Sequence, residues 1–146
     1  MSVYAGESEL KLRFVGTTGP SWQSDMAIDN LELTTGGGNQ DPSCPSIDFD
    51  DFSINSFSNQ DNDGSNAISS DGSSFTLTNN TWKYIPLNYT VTQNTVIAFE
   101  FSSTSQGEIH GVGFENDNSL TANRYFKVHG TQNYGITNFD LSLIHI

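Results

Sequence analysis

The apolar residues of this chain occur in short runs that alternate with polar residues, and none repeats at helical spacing. The clearest run is Thr95–Ser103, in which Ile97, Phe99 and Phe101 fall on one face of a strand. Stretches rich in Gly, Asn, Asp and Ser separate the runs, as turns separate the strands of a β-sandwich. The pattern predicts an all-β fold, a jelly-roll or β-sandwich. No apolar stretch approaches the roughly 20 residues of a membrane-spanning helix, so membrane insertion is not expected.

The other predicted strands follow from the same alternation. Trp82 and Tyr84 share one face of a predicted strand, opposite Ile85 and Leu87. The polar stretch 59–74 carries Asp-Gly turn signals and is interpreted as a loop. The predicted strand segments are 10–14, 26–33, 47–54, 75–78, 82–91, 95–103, 108–115 and 124–129.

The charge of the chain narrows the class of partner. Its 146 residues include 17 acidic and 5 basic side chains, a formal net charge of -12. This balance argues against nucleic acid, because proteins neutralise phosphates with clustered Lys and Arg. The 10 Phe, 5 Tyr and 2 Trp distinguish the chain from acidic disordered tails, which are poor in aromatic residues. A polar, aromatic-rich chain of this kind is typical of an extracellular or surface module.

The composition changes sharply at residues 34–46, TTGGGNQDPSCPS. Three Gly and two Pro in this stretch favour a linker over a strand. Only two predicted strands precede it, too few to bury a core. The sequence therefore predicts two incomplete modules, residues 1–33 and 47–140, joined by the linker 34–46. Cys44 in that linker is the single Cys, whose partner is expected in another part of the complete protein.

Both ends of the sequence are interpreted as artificial. Residues 141–146, LSLIHI, match one reading frame of a transposase adapter used in sequencing libraries. They are set aside as adapter read-through, with a genuine apolar strand as the alternative. Met1 is interpreted as an internal codon, and no signal peptide follows it. The complete protein is expected to extend beyond both ends.

Three motifs in residues 4–33 point to a family. LKLRF, the turn GTTG and the run SDMAIDNL together resemble the closing two strands of a MAM domain. MAM domains are jelly-roll adhesion or interaction modules of extracellular proteins, and bacterial ones accompany secreted hydrolases. The resemblance implies that Asp25 and Asp29 lie near a cation site. The alternative is that Asp29 hydrogen-bonds within a bend.

A second series of motifs covers residues 47–140: IDFDDF, SNQD, TWK, IPLNYT, GEIHGVGFE and GTQNYG. It resembles the jelly-roll accessory modules, similar to carbohydrate-binding modules, of secreted bacterial polysaccharide-active enzymes and peptidases. The resemblance implies a secreted or cell-surface protein whose second module tethers a linked catalytic domain, lost from this fragment, to polysaccharide. The alternative is a protein-interaction or structural accessory domain of a secreted peptidase, with no glycan ligand.

Catalysis by this chain is not expected. The sequence contains no GxSxG, no HExxH and no P-loop, the local patterns that place a nucleophile, a zinc ion or a phosphate. A third hypothesis, a hydrolase in its own right, would require turnover that disappears on Glu108→Gln.

Five residues are candidate ligand contacts. Alternation is expected to place Glu108 and His110 side by side, to bind sugar hydroxyls, share a metal ion or form a buried structural pair. Trp82 and Tyr134 are candidate sugar platforms, although most aromatic residues of such a chain belong to the core. Arg124 offers a planar guanidinium that would suit the sulfate or carboxylate of an anionic polysaccharide.

Acidic residues provide candidate ligands for a structural Ca²⁺. Asp48, Asp50 and Asp51 open the second module and offer hard oxygen ligands, as Asp25 and Asp29 do in the first. Solvated loop carboxylates are the alternative interpretation.

Overall fold

A computed structural model describes residues 10–17, 25–35, 46–62, 64–93 and 95–138. These residues form two antiparallel sheets that pack face to face, so the prediction of an all-β sandwich is confirmed. Two short 3-10 turns, Phe49–Asp51 and Ala122–Arg124, are the helical segments of the described ranges. Neither is long or apolar enough to span a membrane.

The strands follow the chain in nine segments. They are β1 (Leu10–Thr17), β2 (Asp25–Thr35), β3 (Asn55–Ser56), β4 (Ser65–Ile68), β5 (Ser74–Thr78), β6 (Thr81–Leu87), β7 (Thr95–Ser103), β8 (Ile109–Glu115) and β9 (Tyr125–His129). The five-stranded sheet has the order β3-β6-β1-β8-β9, and the four-stranded sheet has the order β4-β5-β2-β7.

The first two strands lie inside the sheets that the rest of the chain builds. β1 pairs with β6 and β8, and β2 pairs with β5 and β7. This arrangement differs from the expected division into two modules. Phe14, Met26 and Ile28 are fully or almost fully buried, and they reach that burial against apolar side chains from beyond residue 46. Most of the predicted linker, residues 36–45 with Cys44, and the tail 141–146 lie outside the described residues.

The main core fills the space between the two sheets. At its centre Phe14, Phe49 and Phe75 contact one another with ring centroids 5.2 to 5.7 Å apart. Such aromatic pairs contribute about 0.5–1.5 kcal/mol each beyond the area that they bury. Both sheets and the loop between β6 and β7 supply the remaining buried members, which are Met26, Ile28, Leu31, Leu77, Ile85, Val91, Val112, Phe114 and Val128. Ile97, Phe99 and Phe101 pack against this core, as predicted.

A second cluster covers the opposite face of the five-stranded sheet. Trp82 and Tyr84 belong to it, whereas Ile85 and Leu87 face the main core, so the predicted faces of β6 are confirmed. The members of the second cluster are Phe57, Trp82, Ile109 and Tyr125, with Tyr84, Leu120 and Tyr134 partly buried around them. Because the sheet is covered on both faces here, all seven residues of β8 are buried.

The segment 47–54 differs from its prediction as a strand. Residues 49–51 form a 3-10 turn, and the short strand β3 begins only at Asn55. Asp48 caps that turn, since its Oδ1 accepts a hydrogen bond from the Asp50 amide at 3.0 Å. Such local side-chain bonds to the backbone compete with strand pairing.

Candidate functional site

Arg13 lies at the centre of the second cluster and has no solvent exposure. Its guanidinium carbon lies 5.0 Å from the ring centroid of Phe57, 5.8 Å from that of Trp82 and 4.8 Å from that of Tyr125. A cation over an aromatic face is stabilised by about 2 kcal/mol when both are desolvated. Gly113 provides the space, because a Cβ there would lie 2.7 Å from Arg13 Nη2. The rings and the glycine together form a cage for this cation.

The charge of Arg13 is balanced by Glu115, which is equally buried. Arg13 Nη1 donates to Glu115 Oε1 at 3.0 Å, and the Thr121 amide donates to the same oxygen at 3.0 Å. Burial raises the pKa of the Glu115 carboxyl, and the charges of Arg13 and Arg124 oppose that rise. Arg124 Nη1 lies 3.6 Å from the other carboxylate oxygen, Oε2. Glu115 therefore joins a buried cation to a second cation nearer the surface.

Arg124, Asn116 and Tyr134 form the boundary of the second cluster, which we call the rim. The Arg124 side chain is 21% exposed, and its Nη1 donates to Asn116 Oδ1 at 2.6 Å. The half-buried ring of Tyr134 packs on Tyr125, with centroids 5.8 Å apart. Burial raises the pKa of the Tyr134 hydroxyl above its ordinary value.

The backbone brings Tyr134 to the same end of the sheet as Arg124. The Ile136 amide donates to the Tyr125 carbonyl at 2.7 Å, and the Lys127 amide donates to the Ile136 carbonyl at 3.0 Å. These bonds lay the segment of Ile136 parallel to β9, with Ile136 beside Phe126. Tyr134 and Arg124 each precede that bridge by two residues, so the two predicted ligand residues lie on neighbouring chain segments.

Trp82 is a buried member of the second cluster and is not part of the rim. Only 6% of its surface is exposed, and its ring is nearly parallel to those of Phe57 and Tyr125, at centroid distances of 6.4 and 6.1 Å. A side chain this enclosed presents no face to a sugar ring. The structure here differs from the expectation of a platform at Trp82, because residues distant in sequence cover the indole.

Glu108 and His110 lie in different environments. Glu108 precedes β8 and is exposed, whereas His110 is 1% exposed. The His110 ring stacks on His129, with centroids 5.9 Å apart and an interplanar angle of 11°, and both rings contact Phe101. His110 thus faces the four-stranded sheet, at the end of β8 away from Glu115. A ligand role for Glu108 stays a prediction.

The five candidate metal residues are spread over two parts of the sandwich. Asp25 and Asp29 lie in β2. Asp48 caps the 3-10 turn, and Asp50 and Asp51 are exposed within it. Across the described ranges, no three His, Cys, Asp or Glu residues lie close enough together to hold a metal ion. The structural Ca²⁺ stays a prediction.

Sequence reasoning missed the role of Asp61, which joins a loop to β6. Its carboxylate accepts hydrogen bonds from Lys83 Nζ and Ser56 Oγ, both at 2.5 Å, and from the Trp82 amide at 3.1 Å. Partial burial acts to raise the pKa of the Asp61 carboxyl. The hydrogen bonds outweigh burial, so the pKa lies below its usual value.

The buried pair of Arg13 and Glu115 was also missed. Arg13 alternates with apolar residues along β1, which is the pattern of a half-buried strand with its polar residues in solvent. The available signal was Gly113, which pairs with Arg13 across the sheet and leaves space for a large side chain.

Comparison with known proteins adds no assignment. No family model, curated protein or solved structure matches the chain. The resemblances to a MAM domain and to accessory modules therefore stay predictions.

Proposed function

We propose that this chain is a non-catalytic module of a secreted protein that binds polysaccharide through the rim and tethers a linked catalytic domain to it. The observation that supports the proposal is the partly exposed Tyr134 ring on the same side of the sandwich as the Arg124 guanidinium. An aromatic face buries the apolar C–H face of a pyranose, and a guanidinium adds directional hydrogen bonds. Tethering would raise the effective concentration of the enzyme at its substrate.

Contacts with buried residues hold the side chains of the rim in place before a ligand binds. Tyr134 packs on Tyr125, which is completely buried and belongs to the same cage as Arg13. Arg124 is held by Asn116 and Glu115. Binding groups that are already fixed lose little conformational entropy when the ligand arrives.

Replacement of Tyr134 tests the proposal. We expect Tyr134→Ala to weaken binding to polysaccharide at least tenfold in affinity electrophoresis, and Tyr134→Phe to keep most of it, because the ring provides the stacking surface. Tyr89→Ala is the matched control, since Tyr89 is a half-buried tyrosine at the edge of the main core. Equal binding by wild type and a folded Tyr134→Ala protein would exclude the rim as the sugar site.

A second candidate function, a protein-interaction domain, is favoured by the edge of the four-stranded sheet. β7 is nine residues long and, within the described residues, pairs only with β2. Val96 on this strand is 47% exposed. An exposed edge strand with few charges can accept a strand from another protein. A folded protein that binds no glycan, and whose complex with a neighbouring domain is weakened by Val96→Lys, would favour this alternative.

A further inference from the structure

The charges of the strands are divided unevenly between the two sheets. The five-stranded sheet and the turn before β9 contain every basic residue of the chain, which are Lys11, Arg13, Lys83, Arg124 and Lys127. The same elements contain one acidic residue, Glu115. The strands of the four-stranded sheet contain no basic residue and four acidic ones, which are Asp25, Asp29, Glu32 and Glu100. A chain with a net charge of -12 therefore concentrates its positive charge on one sheet.

This positive charge reaches the surface at the rim. Arg13 and Arg124 flank a single carboxylate, Glu115, so the three side chains together carry one net positive charge. Lys127 of β9 is 4% exposed. It lies on the same face of the sheet, opposite Gly111 of β8. Charges in a site with little water act over longer distances than in bulk solvent.

The loop after β8 also carries an acidic residue, Asp117. Asp117 is exposed, and its Oδ1 accepts a hydrogen bond from the Ser119 amide at 2.8 Å. Its charge is therefore well solvated. Solvent and salt screen an exposed carboxylate strongly, so Asp117 offsets the charge of Arg124 less than a buried carboxylate would.

We propose that the polysaccharide bound at the rim carries an anionic substituent, a sulfate ester or a uronate carboxylate, which the Arg124 guanidinium binds while Tyr134 stacks on the sugar ring. This inference rests on the proposed function and specifies its ligand. The planar guanidinium matches the spacing of two oxygens on a sulfate or a carboxylate. On the buried side, Arg124 Nη1 lies 3.6 Å from Glu115 Oε2, and the same nitrogen donates to Asn116 Oδ1 at 2.6 Å.

The test compares polysaccharides that differ in charge. A sulfated galactan, its desulfated form, a polyuronate and a neutral glucan are titrated at about 0.15 M salt, where a Debye length of about 8 Å screens the acidic remainder of the chain. We expect binding to both charged polymers to exceed binding to the neutral ones about tenfold. Arg124→Gln should abolish that preference, because it should weaken binding to the charged polymers far more than binding to the neutral ones.

Two further variants separate charge from geometry. Arg124→Lys keeps the charge but not the planar fork, and it should lose most of the preference. Lys83→Gln changes the net charge equally at a lysine paired with Asp61, away from the rim, and should keep the preference. Circular dichroism checks that each variant is folded.

Three outcomes would overturn the inference. Equal binding of charged and neutral polymers, unaffected by Arg124→Gln, would refute it while the proposed function stands. Binding of single-stranded DNA as tight as that of the sulfated galactan would show non-selective attraction of polyanions. Failure of the folded protein to bind any of the polysaccharides would refute the proposed function together with the inference.

Discussion

Arg13 and Glu115 form an ion pair from which solvent is excluded on every side. The desolvation of two charges offsets much of their attraction, so the pair contributes little net stability compared with apolar residues of similar size. The removal of one partner is different, because it leaves the other charge buried without compensation. The pair therefore favours the one arrangement of the second cluster in which both charges are compensated.

We expect Glu115→Gln to lower the free energy of unfolding by about 3–5 kcal/mol, because Arg13 would then lack its carboxylate. The double variant Arg13→Met with Glu115→Gln should recover most of that loss, since no uncompensated charge remains in the cage. Chemical denaturation of the three proteins measures the difference. A loss below about 1 kcal/mol for Glu115→Gln would contradict a dehydrated pair.

Asp61 gives stability that depends on pH. Its pKa in the folded protein lies below the unfolded value of about 4, so its stabilisation is complete above pH 4 and is lost as the pH falls through the folded pKa. We expect Asp61→Asn to be less stable than wild type at pH 7, and the difference in stability to shrink as the pH falls below the unfolded pKa. Urea denaturation between pH 7 and pH 2 measures this, and a constant difference over that range would contradict it.

At the scale of the elements, alternation predicted the faces of the strands well. The bounds of β7 agree with the predicted segment, and the residues of β6 divide between the two clusters as expected. β4 was missed within the stretch 59–74, because three of its four residues are exposed and Ile68 is its single large apolar residue. Local pattern identifies a strand only where several apolar residues alternate along it.

The candidate site was predicted only in part, for reasons that lie in tertiary structure. Alternation assigned Trp82 to a face, but it could not show that Phe57 and Tyr125 cover that face. The pairing of Glu108 with His110 assumed that both lie in one strand, whereas β8 begins after Glu108. Arg124 and Tyr134 are brought to one side by backbone bonds between β9 and Ile136, which no local pattern encodes.

At the scale of the whole molecule, both sheets depend on the first two strands. β1 is the middle strand of the five-stranded sheet, and β2 lies between β5 and β7 in the other sheet. Their apolar residues Phe14, Met26 and Ile28 are completely or almost completely buried in the shared core. The two sheets should therefore unfold together, as one cooperative unit.

We expect a chain that starts at residue 46 to be unfolded, because each sheet would lose an internal strand and the core would lose side chains from both. A proton–nitrogen correlation spectrum tests this, and we expect the amide resonances of the truncated chain to be poorly dispersed. A folded truncated protein with the stability of the complete chain would show that residues 47–140 form a module of their own.

The role of the rim is best tested by the binding of wild-type protein to an array of charged and neutral polysaccharides. We expect binding to acidic polysaccharides, and we expect that binding to require both Tyr134 and Arg124. A protein that is folded by circular dichroism and binds no polysaccharide on the array would contradict it.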